Sequence, residues 1–364
     1  MQELYTALGL MSGTSADGID AAIIETDGES VVRSKAAMTM PYSRDFSVRV
    51  LDAAASGVAD AGLEQQITVI HNAVIQALCT KTGIPLSSID VIGFHGHTIA
   101  HKPAEGFTRQ IGDGAMLAGL TGRPVVFDFR SADVTAGGHG APLVPVYHRA
   151  LAAGIPKPLA VVNIGGVANI TFIDEQNELL AFDMGPGNAL INDAMMMAFG
   201  LPYDKDGAVA LSGVVQENLL LAWLQHPFFN LKPPKSLDRN AFVNVLKTAL
   251  PLKTPDAVAT LTAFTAATIA LGLKYLPVPP KQILLAGGGV HNAALRQMLG
   301  ERSGLPVSSV ADVGWTADHL EAEAFAFLAV RHMKGLPNSF PTTTGVPVPT
   351  IGGRLAPAVK AASA

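Results

Sequence analysis

Short apolar runs that end in glycine-rich turns alternate along the chain with longer stretches of helical periodicity, a pattern typical of α/β proteins. Residues 61–82 are predicted as a helix because Gly83 and Pro85 would end it there. Residues 3–50 are predicted to form only strands and turns. The other predicted strands are residues 89–94, 124–130, 159–164, 168–173, 179–183 and 282–286. The other predicted helices are residues 213–225, 257–273, 292–299 and 317–333 and one that begins at residue 189, with coil after residue 335.

Each half of the chain opens with a strand, a glycine turn and a returning strand, first at residues 8–24 and again at residues 159–173. A chain of 364 residues is long for a single hydrophobic core, so two domains are expected. We predict two related α/β domains that face one another, residues 1–134 and residues 135–364. The C-terminal tail, after residue 335, is expected to pack on the first domain.

The composition narrows the class of protein. Hydrophobic residues make up 49% of the chain and charged residues 15%, with 36 glycines, which suits a compact α/β protein. The formal net charge is −5 and no run of Lys or Arg occurs, so neither nucleic acid nor an anionic membrane is a predicted partner. The one cysteine, Cys79, excludes an internal disulfide and a cysteine-based zinc site. No signal peptide is predicted, and the uncharged stretch 257–273 is shorter than a usual membrane span, so we expect a cytoplasmic protein with a buried helix there.

The turn after the first strand combines glycines, hydroxyls and carboxylates. Its residues are Ser12, Gly13, Thr14, Ser15, Ala16, Asp17, Gly18, Ile19 and Asp20. Glycines let successive backbone N–H groups approach anionic oxygens, and the hydroxyls add donors. Asp17 and Asp20 can hold a hydrated Mg²⁺, which takes one or two carboxylates and keeps several waters. The turn fits a phosphate-binding loop, but a serine-rich hairpin turn that binds nothing explains the same residues.

Three further glycine turns follow, at Gly165-Gly166, Gly185–Gly187 and Gly287-Gly288-Gly289. The sequence contains neither a Walker-type phosphate loop nor a strand-linked Gly-x-Gly-x-x-Gly, which removes the main support for those two nucleotide-binding folds. Two facing hairpins can clamp a polyphosphate. The last glycine run, which leads to a helix at Asn292, offers a flat backbone surface for an adenine or ribose. Taken together, the turns predict a nucleotide cleft.

Asp183 is the first candidate for a catalytic group. It follows a predicted strand and precedes a glycine turn, a position from which a carboxylate can project into a cleft. A base there could take a proton from a hydroxyl or a water about 3 Å away. Alternatively, Asp183 caps the next helix near Asn188, and its spacing leaves both interpretations open.

Three histidines, His95, His97 and His101, have a spacing seen in metal sites. His95 and His97 would lie on opposite faces of a strand, and no carboxylate or cysteine motif completes a site. Polar contacts with a substrate are therefore favoured over a transition-metal site.

Arg130 and Glu321 are two further candidates, each with an alternative. Arg130 can bind a substrate carboxylate with two hydrogen bonds or pair with Asp128 or Asp133. Glu321 lies near a helix start, where it either enters the cleft or is a solvated acid favoured by the helix dipole.

Considered together, these segments resemble the anhydro-N-acetylmuramic acid kinases. The matching motifs run nearly end to end in the order of that family. They are GLMSGTSADGID (9–20), GFHGHTI (93–99), QIGDG (110–114), VFDFR (126–130), AGGHGAPLVP (136–145), VNIGGVANIT (162–171), FDMGPGN (182–188), DKDG (204–207), PPKS (233–236), AGGGVHN (286–292) and EAEAFAFLA (321–329).

The resemblance implies the acetate kinase/sugar kinase/Hsp70/actin fold: two facing actin-like ATPase domains of ribonuclease H-like topology, with a nucleotide cleft between them. It also implies the reaction, in which ATP with Mg²⁺ and water convert 1,6-anhydro-N-acetylmuramic acid into N-acetylmuramic acid 6-phosphate during bacterial cell-wall recycling. A cytoplasmic homodimer is expected.

The resemblance also assigns site residues. The general base is Asp183, and Glu321 matches the family's acidic helix position near the cleft. Residues 13–20, Gly165 and Gly166 correspond to phosphate elements, Asp17 and Asp20 to Mg²⁺ contacts through water, and Gly287, Gly288, Gly289 and Asn292 to the adenosine element. His97, Asp128, Arg130 and Glu321 would contact the sugar, with Arg130 on its lactyl carboxylate.

Some residues depart from the family pattern. His97 and His139 stand where the family usually has Gln, which can donate and accept at its two ends. These changes bear on substrate contacts more than on the reaction. Two alternative functions are a sugar kinase that acts on an ordinary hexose hydroxyl and a nucleotide-gated binding protein of the actin/Hsp70 kind.

Overall fold

The computed structural model describes residues 3–238 and 241–358. The described residues form two units, one within Met1–Ala153 and His319–Ala364 and the other within Gly154–Asp318. We call them unit 1 and unit 2. This grouping differs from the sequence-based division at residues 134 and 135, because the chain after unit 2 returns to the sheet of unit 1. The outermost residues of the two predicted domains, 1–2 and 359–364, lie outside the described residues.

The described residues contain strands and helices that we number in chain order. The strands are β1 Tyr5–Ser12, β2 Gly18–Thr26, β3 Val32–Pro41, β4 Val91–Lys102, β5 Phe107–Ile111, β6 Val125–Phe127, β7 Leu159–Ile164, β8 Val167–Ile173, β9 Leu179–Pro186, β10 Gln282–Ala286, β11 Val307–Ser309 and β12 Arg354–Ala356. The α-helices are α1 Arg44–Ser56, α2 Ala61–Thr82, α3 Gly114–Thr121, α4 Ser131–Thr135, α5 Pro145–Leu151, α6 Ala189–Phe199, α7 Ala208–Ser212, α8 Glu217–Trp223, α9 Val243–Ala249, α10 Thr254–Gly272, α11 Ala293–Ser303 and α12 Leu320–Met333.

The sheet of unit 1 has the strand order β12-β6-β4-β1-β2-β3, and β5 pairs with β4. Strands β1, β2 and β3 form an antiparallel meander, whereas β4 runs parallel to both β1 and β6. The sheet of unit 2 has the order β11-β10-β7-β8-β9. There β7, β8 and β9 form the antiparallel meander, and β10 runs parallel to β7 and β11.

The two sheets therefore share one arrangement. Three strands form an antiparallel meander, and two further strands, parallel to the first strand of the meander, extend the sheet on that strand's other side. This is the duplicated ribonuclease H-like topology of the actin-like fold, so the predicted fold class is confirmed. The sequence repeat of strand, glycine turn and strand corresponds to β1–β2 in unit 1 and to β7–β8 in unit 2.

Local sequence signals set several element ends. Helix α2 has the predicted bounds, since the Asp60 carboxylate accepts from the Leu63 N–H at its start and Gly83 takes the left-handed conformation (φ 71°) at its end. Strands β7 and β10 also match their predictions. The expectation of strands and turns alone over residues 3–50 was wrong, because α1 begins at Arg44 with Ser43 as its cap. The predicted C-terminal coil contains β12, which pairs with β6.

The uncharged stretch predicted as a buried helix forms most of α10. Helix Thr254–Tyr275 is long and apolar enough to cross a membrane, but 78% of its apolar window is buried inside the protein. Phe264 packs in the unit 2 core against Trp223 and Phe242, with which its ring makes edge contacts. The structure confirms the core helix.

Helix α12 packs directly on the sheet of unit 1 at two glycines. A Cβ on Gly9 would lie 1.8 Å from the Ala322 carbonyl oxygen, and one on Gly93 would lie 2.1 Å from the Phe325 carbonyl oxygen. Gly9 and Gly93 are paired across β1 and β4. Backbone contact of this kind requires residues without a Cβ and fixes Glu321, in the first turn of α12, relative to the sheet.

We expect Gly9→Ala to lower the free energy of unfolding by about 3 kcal/mol, which is the upper end of the usual cost of overpacking. The cost is high because the atoms that a Cβ would meet belong to the backbone of α12, which cannot move aside as a side chain can. Urea unfolding followed by circular dichroism measures this. The matched control is Gly119→Ala at an exposed position of helix α3, where a Cβ meets nothing within 4 Å, and where we expect unchanged or slightly higher stability. Equal urea midpoints for Gly9→Ala and the wild type would refute the close packing.

Candidate active site

The hairpin turn of unit 1 presents its hydroxyls outward and its apolar side chains inward. Thr14, Ser15 and Asp17 are exposed, whereas Ala16 and Ile19 are fully buried. Ala16 has a φ of +50°, and its N–H donates to the Gly13 carbonyl at 3.0 Å. The turn is thus closed on itself, with its free hydroxyls on the outside.

Ser12 and His97 lie beneath this turn. The Ser12 hydroxyl is 2.9 Å from His97 Nδ1 and 2.9 Å from the Tyr42 hydroxyl. Burial lowers the pKa of His97 to about 4, so its ring is neutral at neutral pH. Its Nε2 is buried without a partner among the described residues. His97 thus lies against the base of this turn, and its predicted contact with the sugar stays a prediction.

Arg130 is held by a histidine and a carbonyl. Its Nε and Nη2 lie 3.1 and 3.0 Å from His95 Nε2, and its Nη1 donates to the Gly140 carbonyl at 2.8 Å. His95 Nδ1 lies 2.9 Å from the Gly96 carbonyl, which makes Nε2 the acceptor for Arg130. Burial and the charge of Arg130 keep the pKa of His95 well below its usual value. Arg130 does not end a strand as predicted, since β6 stops at Phe127 and Arg130 lies next to α4.

The charges of Arg130 and Asp20 act on Glu321 in unit 1. Burial raises the pKa of Glu321, the positive charge of Arg130 lowers it, and the negative charge of Asp20 raises it. The Asp20 carboxylate also accepts from the Thr39 hydroxyl at 2.5 Å. The pKa of Glu321 therefore depends on the charges of two other predicted site residues, Arg130 and Asp20.

Asp128 has a φ of +53°, a conformation that Asp tolerates better than most residues. Its Oδ1 accepts from the Ser131 hydroxyl at 2.5 Å. Asp128 and His95 line a cavity of about 260 Å³ in unit 1. Its predicted sugar contact stays a prediction.

In unit 2, the second hairpin turn is braced by the segment that follows β9. The Gly187 N–H donates to the Gly166 carbonyl at 2.9 Å and the Asn188 N–H to the Gly165 carbonyl at 2.7 Å. A Cβ on Gly187 would lie 2.3 Å from the Gly165 carbonyl oxygen, which explains the glycine. Gly166 is exposed, so its backbone N–H remains a candidate phosphate donor.

Asp183 lies within β9, three residues before its end, and not at a strand end as predicted. Its N–H donates to the Lys235 carbonyl at 3.0 Å, and its Oδ2 accepts from the Leu237 N–H at 2.7 Å. Burial raises the pKa of Asp183 to about 7, against the lowering effects of the Leu237 N–H and the Lys235 charge. The carboxylate binds Leu237 and makes no cap to α6, whose first turn has no side-chain cap. A carboxyl that titrates near neutrality is suited to accept a proton.

The glycine turn at residues 287–289 is shaped by close packing. Gly287 has a φ of +73°, and a Cβ there would lie 2.4 Å from Asn163 Oδ1. Gly288 is exposed and starts a short 3-10 helix, whereas Gly289 is buried against Ile164. Asn292 is buried, and its Oδ1 accepts from the Leu295 N–H at 3.0 Å as the cap of α11. Gly288 is the one glycine of this turn whose face is open.

No group of three or more metal-ligating His, Cys, Asp or Glu side chains occurs among residues 3–238 and 241–358. A Mg²⁺ bound through water needs only one or two protein carboxylates, with phosphate oxygens as further ligands. Asp17 is exposed on the turn and Asp20 is partly exposed at its end. This donor set fits Mg²⁺ and does not fit a zinc site.

The structure connects two further residues to the candidate groups. Polar contact with a substrate was predicted for His95, whereas Lys235 had no predicted role. His95 supports Arg130, and Lys235 lies buried beside Asp183. The motif PPKS marked Lys235, but a lysine after two prolines is usually solvated. Only its tertiary surroundings distinguish it.

Comparisons with known proteins give consistent results. A family model described as anhydro-N-acetylmuramic acid kinase matches residues 5–358. A relative of that name from Paramagnetospirillum magneticum is 49% identical over 349 residues, covering 96% of this chain and 98% of the relative. One from Azorhizobium caulinodans is 50% identical over 366 residues, covering 96% and 98%. Among solved structures, the chain is similar to an activator of 2-hydroxyisocaproyl-CoA dehydratase from Clostridium difficile with bound ADPNP, at 14% identity and a TM-score of 0.46, covering 91% and 96%.

Proposed function

The chain belongs to the anhydro-N-acetylmuramic acid kinase family, and we propose that it uses ATP and water to convert 1,6-anhydro-N-acetylmuramic acid into N-acetylmuramic acid 6-phosphate. The step belongs to the recycling of bacterial cell wall and takes place in the cytoplasm, where ATP is available. The kinase assignment follows from the family; the anhydro sugar, the use of water and the residue roles are the proposal.

Asp183 carries the proposal. Its carboxyl is held by the Leu237 N–H, and its pKa of about 7 lies far above that of an ordinary Asp. A carboxylate of that basicity takes a proton from water more readily than a solvated one does, and half of it is ionised near neutrality.

The proposed chemistry has a defined balance of bonds. Asp183 takes a proton from a water whose oxygen bonds to the anomeric carbon C1, and the bond from C1 to the bridging oxygen breaks. That oxygen stays on C6 as O6, bonds to the γ-phosphorus of ATP, and ADP leaves. One water and one ATP are consumed for each product. The strained bicyclic sugar thus supplies its own nucleophile, and the protein positions groups and neutralises charge.

The phosphates of ATP are assigned to the hairpin turns. Thr14, Ser15 and the backbone of residues 13–18 would donate to them, with Gly165 and Gly166 as the counterpart in unit 2. Mg²⁺ supplies neutralisation of phosphate charge when bound, and Asp17 and Asp20 would hold it through water. Adenosine would lie against the turn of Gly287, Gly288 and Gly289, which leads to Asn292, with the exposed Gly288 facing it.

The sugar is assigned to charged residues of unit 1. Arg130 has five N–H groups, of which three bond to His95 and Gly140. These bonds leave one N–H on Nη1 and one on Nη2. A pair of N–H groups on a guanidinium can bind a carboxylate with two hydrogen bonds. We assign this pair to the lactyl carboxylate. Glu321 and Asp128 would accept from sugar hydroxyls, and His97, deeper in the unit, would support the turn.

The proposal is tested by offering the protein ATP with 1,6-anhydro-N-acetylmuramic acid, glucose or N-acetylglucosamine in separate reactions. We expect a sugar phosphate from the anhydro sugar alone, with the mass of N-acetylmuramic acid 6-phosphate and a ³¹P signal coupled to the C6 protons. Faster phosphorylation of glucose would favour an ordinary hexose kinase. An ATPase rate that ignores all three sugars would favour a nucleotide-gated binding protein.

We expect kcat/KM for the anhydro sugar to fall on the acidic side of a midpoint near pH 7. Asp183 has a raised pKa of about 7, so its active ionised form is present above that pH and is lost as the pH falls through it. Initial rates between pH 5.5 and 9 give the midpoint. A flat profile down to about pH 5, where an unperturbed Asp is still ionised, would contradict the raised basicity of Asp183.

A further inference from the structure

A buried lysine occupies an aromatic cage in unit 2. The Lys235 ammonium lies 4.5 Å from the ring centroid of Phe228, 4.7 Å from that of Tyr275 and 5.9 Å from that of Phe182. It also donates to the Phe228 carbonyl at 3.3 Å, and Lys235 is only 6% exposed. Ring faces attract cations, more so where water is excluded. The cage therefore holds a positive charge at a fixed place, and no carboxylate within residues 3–238 and 241–358 forms an ion pair with it.

The cage is continuous with Asp183 along the chain. Phe182, one of its walls, directly precedes Asp183 on β9. The Lys235 carbonyl accepts from the Asp183 N–H, and two residues later the Leu237 N–H donates to the Asp183 carboxylate. The backbone of segment 235–237 therefore contacts both the backbone and the carboxylate of Asp183. Neighbouring side chains of a strand point to opposite faces, so the Phe182 ring beside the Lys235 ammonium lies on the other face of β9 from the Asp183 carboxylate.

Two charged groups, Lys274 and Asp183, act on the caged ammonium of Lys235. The Lys274 ammonium lies 5.0 Å from the ring centroid of Tyr275, which is also a wall of the cage. Its charge repels the Lys235 ammonium, whereas the Asp183 carboxylate attracts the Lys235 ammonium. The Tyr275 hydroxyl donates to the Phe229 carbonyl. Burial and Lys274 lower the pKa of Lys235 to about 8, and the Asp183 carboxylate opposes that shift.

We propose that Lys235 is a positioning residue of the proposed kinase reaction: its caged ammonium favours the ionised carboxylate of Asp183 while the rings keep it from forming a contact ion pair. The inference rests on the proposed role of Asp183 as base. A direct ion pair would make the carboxylate a weak base, and an apolar pocket without a charge would keep it protonated at neutral pH. A cation at a restrained distance gives a carboxylate that is both ionised and basic.

The test compares Lys235→Met with Lys232→Met, which removes an exposed charge three residues away in the same segment. Met fills the cage with a side chain of similar length and no charge. We expect Lys235→Met to move the acidic midpoint of kcat/KM upward by about one pH unit, which is within the usual effect of one nearby charge. A shift of this size lowers kcat/KM at pH 7 roughly fivefold. The rate above pH 9 should approach that of the wild type. Lys232→Met should keep the wild-type midpoint.

A merely structural role for Lys235 predicts another outcome: a lower rate at every pH with an unmoved midpoint, and that result would overturn the inference. Lys235→Arg keeps the charge and should return the midpoint toward its wild-type value. If Lys235→Met is unstable, Lys235→Gln provides a second neutral variant, and the same shift is required of it.

An infrared titration separates this inference from the proposed function. The carbonyl stretch of protonated Asp183 is identified as the band that Asp183→Asn removes, and its midpoint is measured without turnover. We expect that midpoint to rise in Lys235→Met and not in Lys232→Met. If the wild type phosphorylates no anhydro sugar, the proposed function fails, but this titration still decides whether Lys235 controls the ionisation of Asp183.

Discussion

Asp183→Asn should lower kcat for the anhydro sugar by about 10²–10⁴-fold, the usual contribution of a general base. Asn has the shape of Asp, and its amide oxygen can still accept from the Leu237 N–H, so the fold of this region should be retained. What it loses is the capacity to take a proton. ATP affinity should change little, because Asp183 is assigned to the sugar and the water.

Steady-state kinetics and calorimetric titration with an ATP analogue measure the two quantities. Asp52→Asn, which removes an exposed carboxylate on α1, is the matched control and should leave both unchanged. A kcat for Asp183→Asn within about fivefold of the wild type would remove Asp183 as the general base, because such a base contributes more than that.

The second large effect is expected at Arg130. Arg130→Leu should lower kcat/KM for the anhydro sugar by about 10²-fold or more, because removing one partner of a buried charged pair costs several kcal/mol. Arg130→Lys keeps the charge and loses the planar fork, so it should recover only part of the loss. His95 would lose its donors in both variants, and thermal melting with each purified variant shows how much of the effect comes from the fold.

The affinity for an ATP analogue serves as the internal control for Arg130, which is assigned to the sugar alone. An unchanged KM for the anhydro sugar in Arg130→Leu would show that the lactyl carboxylate binds elsewhere. Loss of ATP affinity together with sugar affinity would place Arg130 on the nucleotide.

Much of the fold could be predicted because its signals are local. The cap at Asp60 and the glycine at Gly83 determine α2, and the apolar run of β7 ends at a glycine turn. Helix α1 was missed although Phe46, Val50 and Ala53 are its buried side. Those three positions are separated by polar residues and by Val48 and Leu51, which are exposed, so the sequence alone does not show which apolar positions join the core.

Strand bounds near the site depend on distant partners, which explains the two errors there. β9 continues past Asp183 because Gly185 and Pro186 pair with β8 beyond a bulge between Ala168 and Asn169. β6 ends at Phe127 because Asp128 adopts a positive φ and begins the turn to α4. A bulge and a left-handed residue are set by tertiary packing more than by their own sequence.

The candidate groups could be named from the sequence, but their supports could not. Turn chemistry and strand ends pointed to the phosphate hairpin, to Asp183 and to Arg130. The contacts that define their chemistry join residues far apart in the chain, such as Ser12 with His97, Arg130 with His95 and Asp183 with Leu237. The lysine cage likewise combines β9, the segment after α8 and the short 3-10 helix after α10, which no short motif encodes.

The central claim, that water opens the anhydro bond while the bridging oxygen receives the phosphoryl group, is tested most directly by a single turnover in ¹⁸O water. Mass spectrometry of the quenched product locates the label, and N-acetylmuramic acid 6-phosphate held in ¹⁸O water for the same time corrects for exchange. The account predicts one ¹⁸O at the anomeric hydroxyl and none in the phosphate or at O6. An unlabelled sugar, or ¹⁸O in the phosphate, would contradict it.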